Sequence, residues 1–193
     1  MFGNKSMKTN FLNNIYGTLF TPDETFSELK ENTAVPQALV VVVFVSILNT
    51  ILNINGSSGV ILQGTKLLMA AVSGIISWLF FASFFELVAS IFNKSGYMKS
   101  FLTLSGFALT PWIFLAPIQL FKTGDAVISL FGIILGLAVW LWSTVLLVVA
   151  VIKTYNLSLG RALVFLVVPF VAGFVAFNWF IGFFTTLGGI LKV

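Results

Sequence analysis

The sequence predicts an all-α polytopic integral membrane protein with five transmembrane helices and a short cytoplasmic N-terminal helical segment. Of its 193 residues, 59% are apolar and only 8% are charged, whereas an ordinary globular domain is about 25% charged. The few charges also separate long apolar stretches, and about 20 apolar residues allow a helix to cross the hydrocarbon core of a bilayer. Together these observations exclude a water-soluble fold.

The amino-acid composition also limits the chemistry. The chain has no Cys and no His, which removes disulfides, thiolate catalysis, imidazole bases and the usual zinc or haem ligands. No phosphate-binding loop, nucleophile elbow or metal-ligand cluster is found in the sequence. We therefore expect no enzymatic activity, no cofactor and no metal. The net charge of +4 is spread over the loops, which fits membrane topology better than nucleic-acid binding.

Residues 1–34 are predicted to form an N-terminal segment outside the spans, on the cytoplasmic side or in the membrane interface. Its first part has apolar residues at helical spacing, which predicts a short helix. This helix either lies in the headgroup layer with its apolar face down or packs on the cytoplasmic ends of the spans. The apolar residues are Phe11, Leu12, Ile15, Tyr16, Leu19 and Phe20.

A second helix is predicted to begin at Pro22 and to end near Lys30. Thr21 is placed to cap its first amides, and Pro22 suits the first helical position. Four of the six acidic residues of the chain fall here, and they are a candidate surface for a partner or serve only capping and solubility. They are Asp23, Glu24, Glu28 and Glu31.

Residues 35–193 are predicted to form the membrane domain. Its five spans cover residues 35–54, 67–92, 101–121, 127–152 and 162–184. Pro111 and Pro117 are candidate breaks in the third span, because proline lacks an amide donor and clashes with the preceding helical turn. Broken helices can form substrate sites in transporters. In the fourth span, Gly132 and Gly136 have a spacing that permits close helix packing, within one chain or between two copies.

Glu86 is the only ionisable residue within a predicted span. Acids inside a membrane are costly and often functional. The helix face around Glu86 is small and polar, with Ser83 and Ser90 on it, so this face is a candidate intramembrane polar site. Glu86 is either a structural acid, with Lys153, Arg161 or a hydroxyl such as that of Thr144 as its partner, or a site for a ligand or a proton.

The distribution of basic residues predicts the orientation, since cytoplasmic loops are enriched in Lys and Arg. No leader sequence is recognised before the first span, so that span is expected to direct insertion. With a cytoplasmic N-terminus, seven of the ten basic residues lie on the cytoplasmic side. These seven are Lys5, Lys8, Lys30, Lys94, Lys99, Lys153 and Arg161.

The order of several short motifs resembles that of the Yip-domain family. A Pro-x-x-x-Phe helix (Pro22 to Phe26) precedes the spans, and Gly96-Tyr97 precedes a third span that reads SGFALTPWIFLAPI. The fourth span continues into VVAVIKTYNLSLGRALVFLVVP, with Lys153 and Arg161. Yip-domain proteins are five-span membrane proteins named for binding Ypt/Rab GTPases, and the resemblance is particularly to the bacterial branch.

This resemblance implies an N-in, C-out five-helix domain. For the bacterial branch it implies the cytoplasmic (inner) membrane, and for eukaryotic members it implies vesicle traffic with partners recruited through the cytoplasmic N-terminal region. We therefore expect a membrane scaffold or adaptor in envelope or trafficking processes, with membrane lipids and membrane or cytoplasmic proteins as partners. The alternative is a small transporter or channel component that uses Glu86 and the third helix.

The predicted topology can be tested at the C-terminus. A reporter that is active only in the cytoplasm, fused to Val193, should be inactive because five spans place this end outside. Full activity of the fusion would imply an even number of spans and would contradict the five-helix interpretation.

Overall fold

The computed structural model describes residues 10–52, 59–119, 121 and 125–190. All regular secondary structure in these residues is helical, which confirms the all-α class. The helices are α1 Phe11–Phe20, α2 Pro22–Glu31, α3 Val35–Leu52, α4 Val60–Ile91, α5 Met98–Phe107, α6 Leu115–Ile118, α7 Ala126–Tyr155 and α8 Leu159–Ile190, with a 3-10 helix at Thr110–Phe114 between α5 and α6.

Four segments of the described residues are long and apolar enough to cross a membrane. They are α3, α4 from Ile61 onwards, the bent segment Met98–Ile118 and α7. The predicted fifth span, residues 162–184, falls within α8, whose 32 residues extend about 48 Å at 1.5 Å per residue. The described apolar run of α8, Leu159–Val168, is shorter than a span. The fifth span therefore stays a prediction.

Two lysines that were expected to lie just outside predicted spans lie inside helices. The second span was predicted to begin after Lys66, but α4 begins at Val60 and contains this lysine. The fourth was predicted to end before Lys153, but α7 continues through it to Tyr155. A lysine has a long apolar stem that carries its ammonium group away from the helix axis. A single lysine near a helix end is therefore compatible with an unbroken helix.

The third segment, Met98–Ile118, lies at the centre of the bundle. Its first helix, α5, packs against α2, α3, α4 and α7, and each residue from Phe101 to Phe107 is buried. In its most apolar 18-residue window 61% of the residues are buried, against 11–22% in the other three candidate spans. The segment that carries the two prolines is thus the one that the other helices surround.

Helix α2 is attached to the same core. Phe26 and Leu29 are fully buried, in one hydrophobic cluster with Phe85, Phe101 and Leu146 of the long helices. Each such side chain contributes about 1.5–3 kcal/mol when it leaves water. Hydrophobic burial therefore fixes α2 at one end of the bundle.

The turn between α1 and α2 differs from the predicted capping arrangement. The Thr21 hydroxyl makes no capping bond at α2; it donates to the Gly17 carbonyl at 3.4 Å. Because α1 ends where α2 begins, the hydroxyl serves a last-turn carbonyl of α1. The capping prediction is wrong, although Pro22 does occupy the start of α2.

Helix α1 packs on the bundle through buried polar residues and through Phe11 and Ile15, which are partly buried against the hydrophobic cluster. Asn14 and Thr18 are buried, and the Asn14 side-chain amide donates to Gln37 Oε1 at 2.7 Å. The apolar Leu12 and Tyr16 point outward, both more than 60% exposed. Helix α1 therefore packs on the protein, against α2, the 3-10 helix and the start of α3, and the cytoplasmic side assigned to it stays a prediction.

The contact between α3 and α5 gives a prediction about stability. A Cβ atom on Gly106 would lie 2.8 Å from the Ala38 Cβ and 3.2 Å from its carbonyl oxygen, whereas a Cβ on Gly136 of α7 would meet nothing within 4 Å. Gly106→Ala should therefore force the helices apart and lower the stability by about 1–3 kcal/mol.

The matched control is Gly136→Ala, which should leave stability unchanged or raise it, because alanine favours helix by up to about 1 kcal/mol. Thermal unfolding in detergent measures both variants. Equal melting temperatures for the two would contradict the close approach of α3 and α5.

Candidate functional site

One end of the bundle brings together polar side chains from α2, α4, α7 and the turn that precedes α5. We call this group the polar cluster. It consists of Asp23, Lys30, Glu86, Tyr97, Lys153, Tyr155 and Asn156, joined by the hydrogen bonds and the ion pair described below.

Glu86 joins three parts of the bundle. Its Oε1 accepts hydrogen bonds from the backbone amides of Gly96 and Tyr97, the latter at 3.1 Å. Its Oε2 accepts the hydroxyl proton of Tyr155 at 3.0 Å. The two amides directly precede α5, where backbone donors have no partner inside the helix and the helix dipole favours a negative charge. The Glu86 carboxylate thus caps α5 from the neighbouring helix.

The predicted basic partners of Glu86 are wrong. The Lys153 ammonium lies 2.6 Å from Asp23 Oδ1, and Arg161 lines a separate groove on the bundle surface. The free amides before α5 and the Tyr155 hydroxyl fill the acceptor sites of the carboxylate instead. Sequence reasoning allowed a hydroxyl partner but not that of Tyr155, and it missed the backbone amides, although Gly96-Tyr97 directly before a helix was a signal that this helix start needed acceptors.

The Tyr155 ring is fully buried, and aromatic rings fix its position. Its ring centre lies 6.2 Å from that of Tyr97, edge to face, 5.7 Å from that of Phe101 and 5.0 Å from that of Phe165. Such aromatic pairs contribute about 0.5–1.5 kcal/mol each beyond the burial of their area. The hydroxyl that reaches Glu86 therefore has a fixed orientation.

Polar contacts also connect α2 to the other helices. The Lys30 ammonium donates to Asn156 Oδ1 at 2.8 Å and lies 6.0 Å from the centre of the Tyr97 ring. The Ser100 hydroxyl donates to the Lys30 carbonyl at 3.3 Å. Together with the Lys153–Asp23 ion pair, these contacts hold α2 in one orientation against α5 and α7.

The four acidic residues predicted as a partner surface separate into two groups. Asp23 is engaged by Lys153. Glu24, Glu28 and Glu31 are all exposed, and their spacing of four and three residues places them along one face of α2. Because Phe26 and Leu29 hold the opposite face in the core, these three carboxylates form an outward surface, which we call the acidic face.

The predicted polar site around Glu86 is not assembled as expected. Ser83 and Ser90 are exposed on α4, and the hydrogen bonds of Glu86 run to the start of α5 and to Tyr155. Glu86 is therefore placed among groups at one end of the bundle rather than beside the two serines.

Hydroxyl groups donate hydrogen bonds to backbone carbonyls at the break in the third segment. Pro111 lies in the 3-10 helix and Pro117 in α6. The Ala108 carbonyl, which precedes the 3-10 helix, accepts a hydrogen bond from the Ser143 hydroxyl of α7 at 2.8 Å. The Phe107 carbonyl accepts one from Thr110 at 2.6 Å. These carbonyls of the break have protein partners, so they are not left open for a substrate or an ion.

A cavity of about 390 Å³ lies beside this break, between α3, α4, α5 and α7. Hydroxyl groups line part of it, from Ser46, Ser77, Ser105 and Ser143. The indole amine of Trp78 donates to Ser105 Oγ at 3.1 Å. Glu86 is not among the residues that line this cavity. The structure thus separates the two features that the transporter alternative combined.

The two glycines predicted for close packing differ in their surroundings. A Cβ on Gly132 would lie 3.0 Å from the Phe121 Cβ of the same chain, whereas the position of Gly136 opens on free space. Gly132 therefore serves a contact within the chain.

Among the described residues no cluster of metal-ligating side chains is found.

Comparison with known families gives a match that covers most of the chain. The Yip1 domain model matches residues 16–180, a range that includes α2, the polar cluster and the broken third segment. No curated protein and no solved structure matches the chain.

The capping role of Glu86 gives a prediction. Glu86→Leu should lower the stability in detergent by about 2–3 kcal/mol, because two backbone amides and the Tyr155 hydroxyl each lose a hydrogen bond that contributes about 1 kcal/mol. Glu86→Gln keeps an acceptor oxygen and an amide that can donate to Tyr155, so its loss should be smaller.

The comparison variant is Tyr155→Phe, which removes one hydrogen bond and should cost about 1 kcal/mol. The melting temperature should fall most in Glu86→Leu, less in Tyr155→Phe and least in Glu86→Gln. If the leucine variant were as stable as the wild type, the cap would not be structural, and the ligand or proton interpretation of Glu86 would replace it.

Proposed function

The chain belongs to the Yip1 domain family, and on this premise we propose that it is a non-enzymatic membrane scaffold or adaptor. In this role the acidic face of α2 binds a basic segment of a protein partner at the membrane surface. The observation that carries the proposal is the fixed presentation of Glu24, Glu28 and Glu31 by a helix whose other face is buried.

Preorganisation supports this role. A helix that is ordered before binding loses little conformational entropy when a partner arrives. Helix α2 is held by the buried Phe26 and Leu29 and by contacts of Lys30 and Asp23 with α7 and the following turn. Its acidic face is therefore in place without a partner.

Charge supports the choice of a basic partner. The three exposed carboxylates lie on one face within eight residues of helix, and such a patch attracts a positively charged segment and speeds the encounter. Asp23 takes no part in this surface, because its carboxylate is engaged by Lys153.

The proposed setting is the cytoplasmic membrane of a bacterium, with the N-terminus inside, α8 as a fifth span and the C-terminus outside. The length of α8 supports a span, since 32 residues exceed the roughly 20 that a bilayer needs. The predominance of basic residues on the predicted cytoplasmic side supports the orientation.

The transporter alternative has less support. It requires a polar cavity that reaches Glu86, whereas the carboxylate oxygens accept three hydrogen bonds from the protein. At the break, the carbonyls of Phe107 and Ala108 accept hydroxyl protons of Thr110 and Ser143. Both groups on which the alternative depends have structural partners.

A site-specific crosslink tests the proposal. A photoreactive residue at position 28, in cells that produce the full chain, should give a protein adduct, and Glu24→Gln with Glu31→Gln should abolish it because the charge that attracts the partner is lost. The adduct identified by mass spectrometry should contain a basic segment at the crosslinked position.

Two controls accompany this experiment. Asp125→Asn removes an acid away from α2 and should leave the adduct unchanged. The same photoreactive residue at position 127, which is 79% exposed in the first turn of α7, should not give the same adduct. An adduct that persists in the double glutamine variant, or that forms equally at position 127, would contradict the acidic face as the binding surface.

A further inference from the structure

We propose that the groove between the α4–α5 turn and the start of α8 is a binding site for an anionic phospholipid. The headgroup phosphate lies between Lys94 and Arg161, and the first part of an acyl chain lies along Val164 and Phe165. This site is separate from the acidic face of α2 and does not depend on the proposed scaffold role.

The shape of the groove fits a ligand of this kind. Its volume is about 360 Å³, within the range of roughly 300–1,000 Å³ found for ligand sites. Apolar and basic side chains line it together: the apolar ones include Phe92, Leu157 and Phe165, and the basic ones are Lys94 and Arg161. An occupant that matches both parts has an apolar portion and an anionic head.

The two basic side chains are available for such a head. Among the described residues, neither Lys94 nor Arg161 takes part in an ion pair. Two cationic groups that line one groove repel each other, and a phosphate bound there offsets this repulsion. Arginine binds phosphate with two parallel hydrogen bonds, and lysine adds a point charge.

The position of the groove distinguishes a lipid from a soluble anion. Helix α4 ends at Ile91 and α8 begins at Leu159, so the groove lies where membrane helices turn, at the level at which lipid headgroups are expected. Its apolar side continues onto Val164, which is 56% exposed, and an exposed valine on an apolar helix faces acyl chains. A soluble phosphate would leave this apolar side unfilled.

The walls of the groove are fixed before a lipid binds. Phe165 is buried and its ring centre lies 6.0 Å from that of Phe92 and 5.7 Å from that of Phe85. On one side Asn93 adopts a left-handed conformation after α4, and on the other Asn156 does so after α7. Both turns therefore have defined geometry, and the groove needs little rearrangement to accept a ligand.

Lipid titration of the full chain in detergent, followed by native mass spectrometry, tests the proposal. The probes are phosphatidylglycerol, phosphatidylcholine with the same acyl chains, and glycerol 3-phosphate, which carries the charge without the chains. Phosphatidylglycerol should bind more tightly than phosphatidylcholine, and glycerol 3-phosphate should not displace it. Displacement by glycerol 3-phosphate, or equal binding of the two lipids, would overturn the proposal.

Charge variants localise the site. Arg161→Gln and Lys94→Gln should each weaken phosphatidylglycerol binding about fivefold, the usual effect of one basic residue near an anionic lipid surface. The matched control is Lys99→Gln, which removes an exposed lysine at the same end of the bundle that does not line the groove. An equal loss in the Lys99 variant would mean diffuse attraction to the surface and would overturn the site.

A neutral variant separates occupation of the groove from charge. An added Cβ on Gly160, which lines the groove, meets nothing within 4 Å, so Gly160→Leu should fold with an unchanged or higher melting temperature while its side chain occupies the groove. This variant should lose phosphatidylglycerol binding although all charges remain. Undiminished binding by a folded Gly160→Leu protein would show that the lipid does not sit in the groove.

Discussion

The arrangement of this protein depends on one constraint: inside a membrane domain, backbone polar groups need partners from the protein itself. The central segment is where this requirement is hardest to meet, because the other helices surround it and its helix is interrupted within the bundle. Glu86 accepts from the amides before α5, and Ser143 donates to the carbonyl of Ala108 at the break. With both ends of α5 supplied from neighbouring helices, an interrupted helix can occupy the centre of the bundle.

The same partners connect the membrane helices to the N-terminal segment. Tyr155 completes the acceptor set of Glu86, and the adjacent end of α7 carries Lys153 and Asn156, which contact α2. The ion pair to Asp23 contributes little, because its carboxylate side chain is 79% exposed and pairs at a protein surface contribute at most about 1 kcal/mol. Buried Phe26 contributes more by itself. Hydrophobic burial therefore anchors α2, and the polar contacts determine its orientation.

The sequence predicted the elements of this fold better than their interactions. Composition and charge spacing located the apolar stretches, since a bilayer requires about 20 apolar residues per helix. The predicted start of the second span, after Lys66, was wrong because a lysine can lie within a helix and extend its ammonium group away from the helix axis. The position of a charge in the sequence does not show whether the helix continues through it. The partners of Glu86 could not be predicted either: backbone amides do not appear in a residue pattern, and Tyr155 is 69 residues away in sequence. Only the packing of α4, α5 and α7 brings these groups together.

Charge sign explains why the two proposed surfaces lie on different elements. An anionic leaflet attracts basic groups near the membrane and repels carboxylates. Lys94 lies in the turn after α4 and Arg161 in the first turn of α8, where the proposed lipid phosphate would neutralise them. Glu24 and Glu28 lie on α2, which precedes the first candidate span. The opposite face of α2 is buried in the core, and this burial keeps the helix in place although an anionic leaflet repels its carboxylates. Helix α2 must therefore be anchored by apolar contacts rather than by attraction to the membrane. Phe26 provides such a contact in the core.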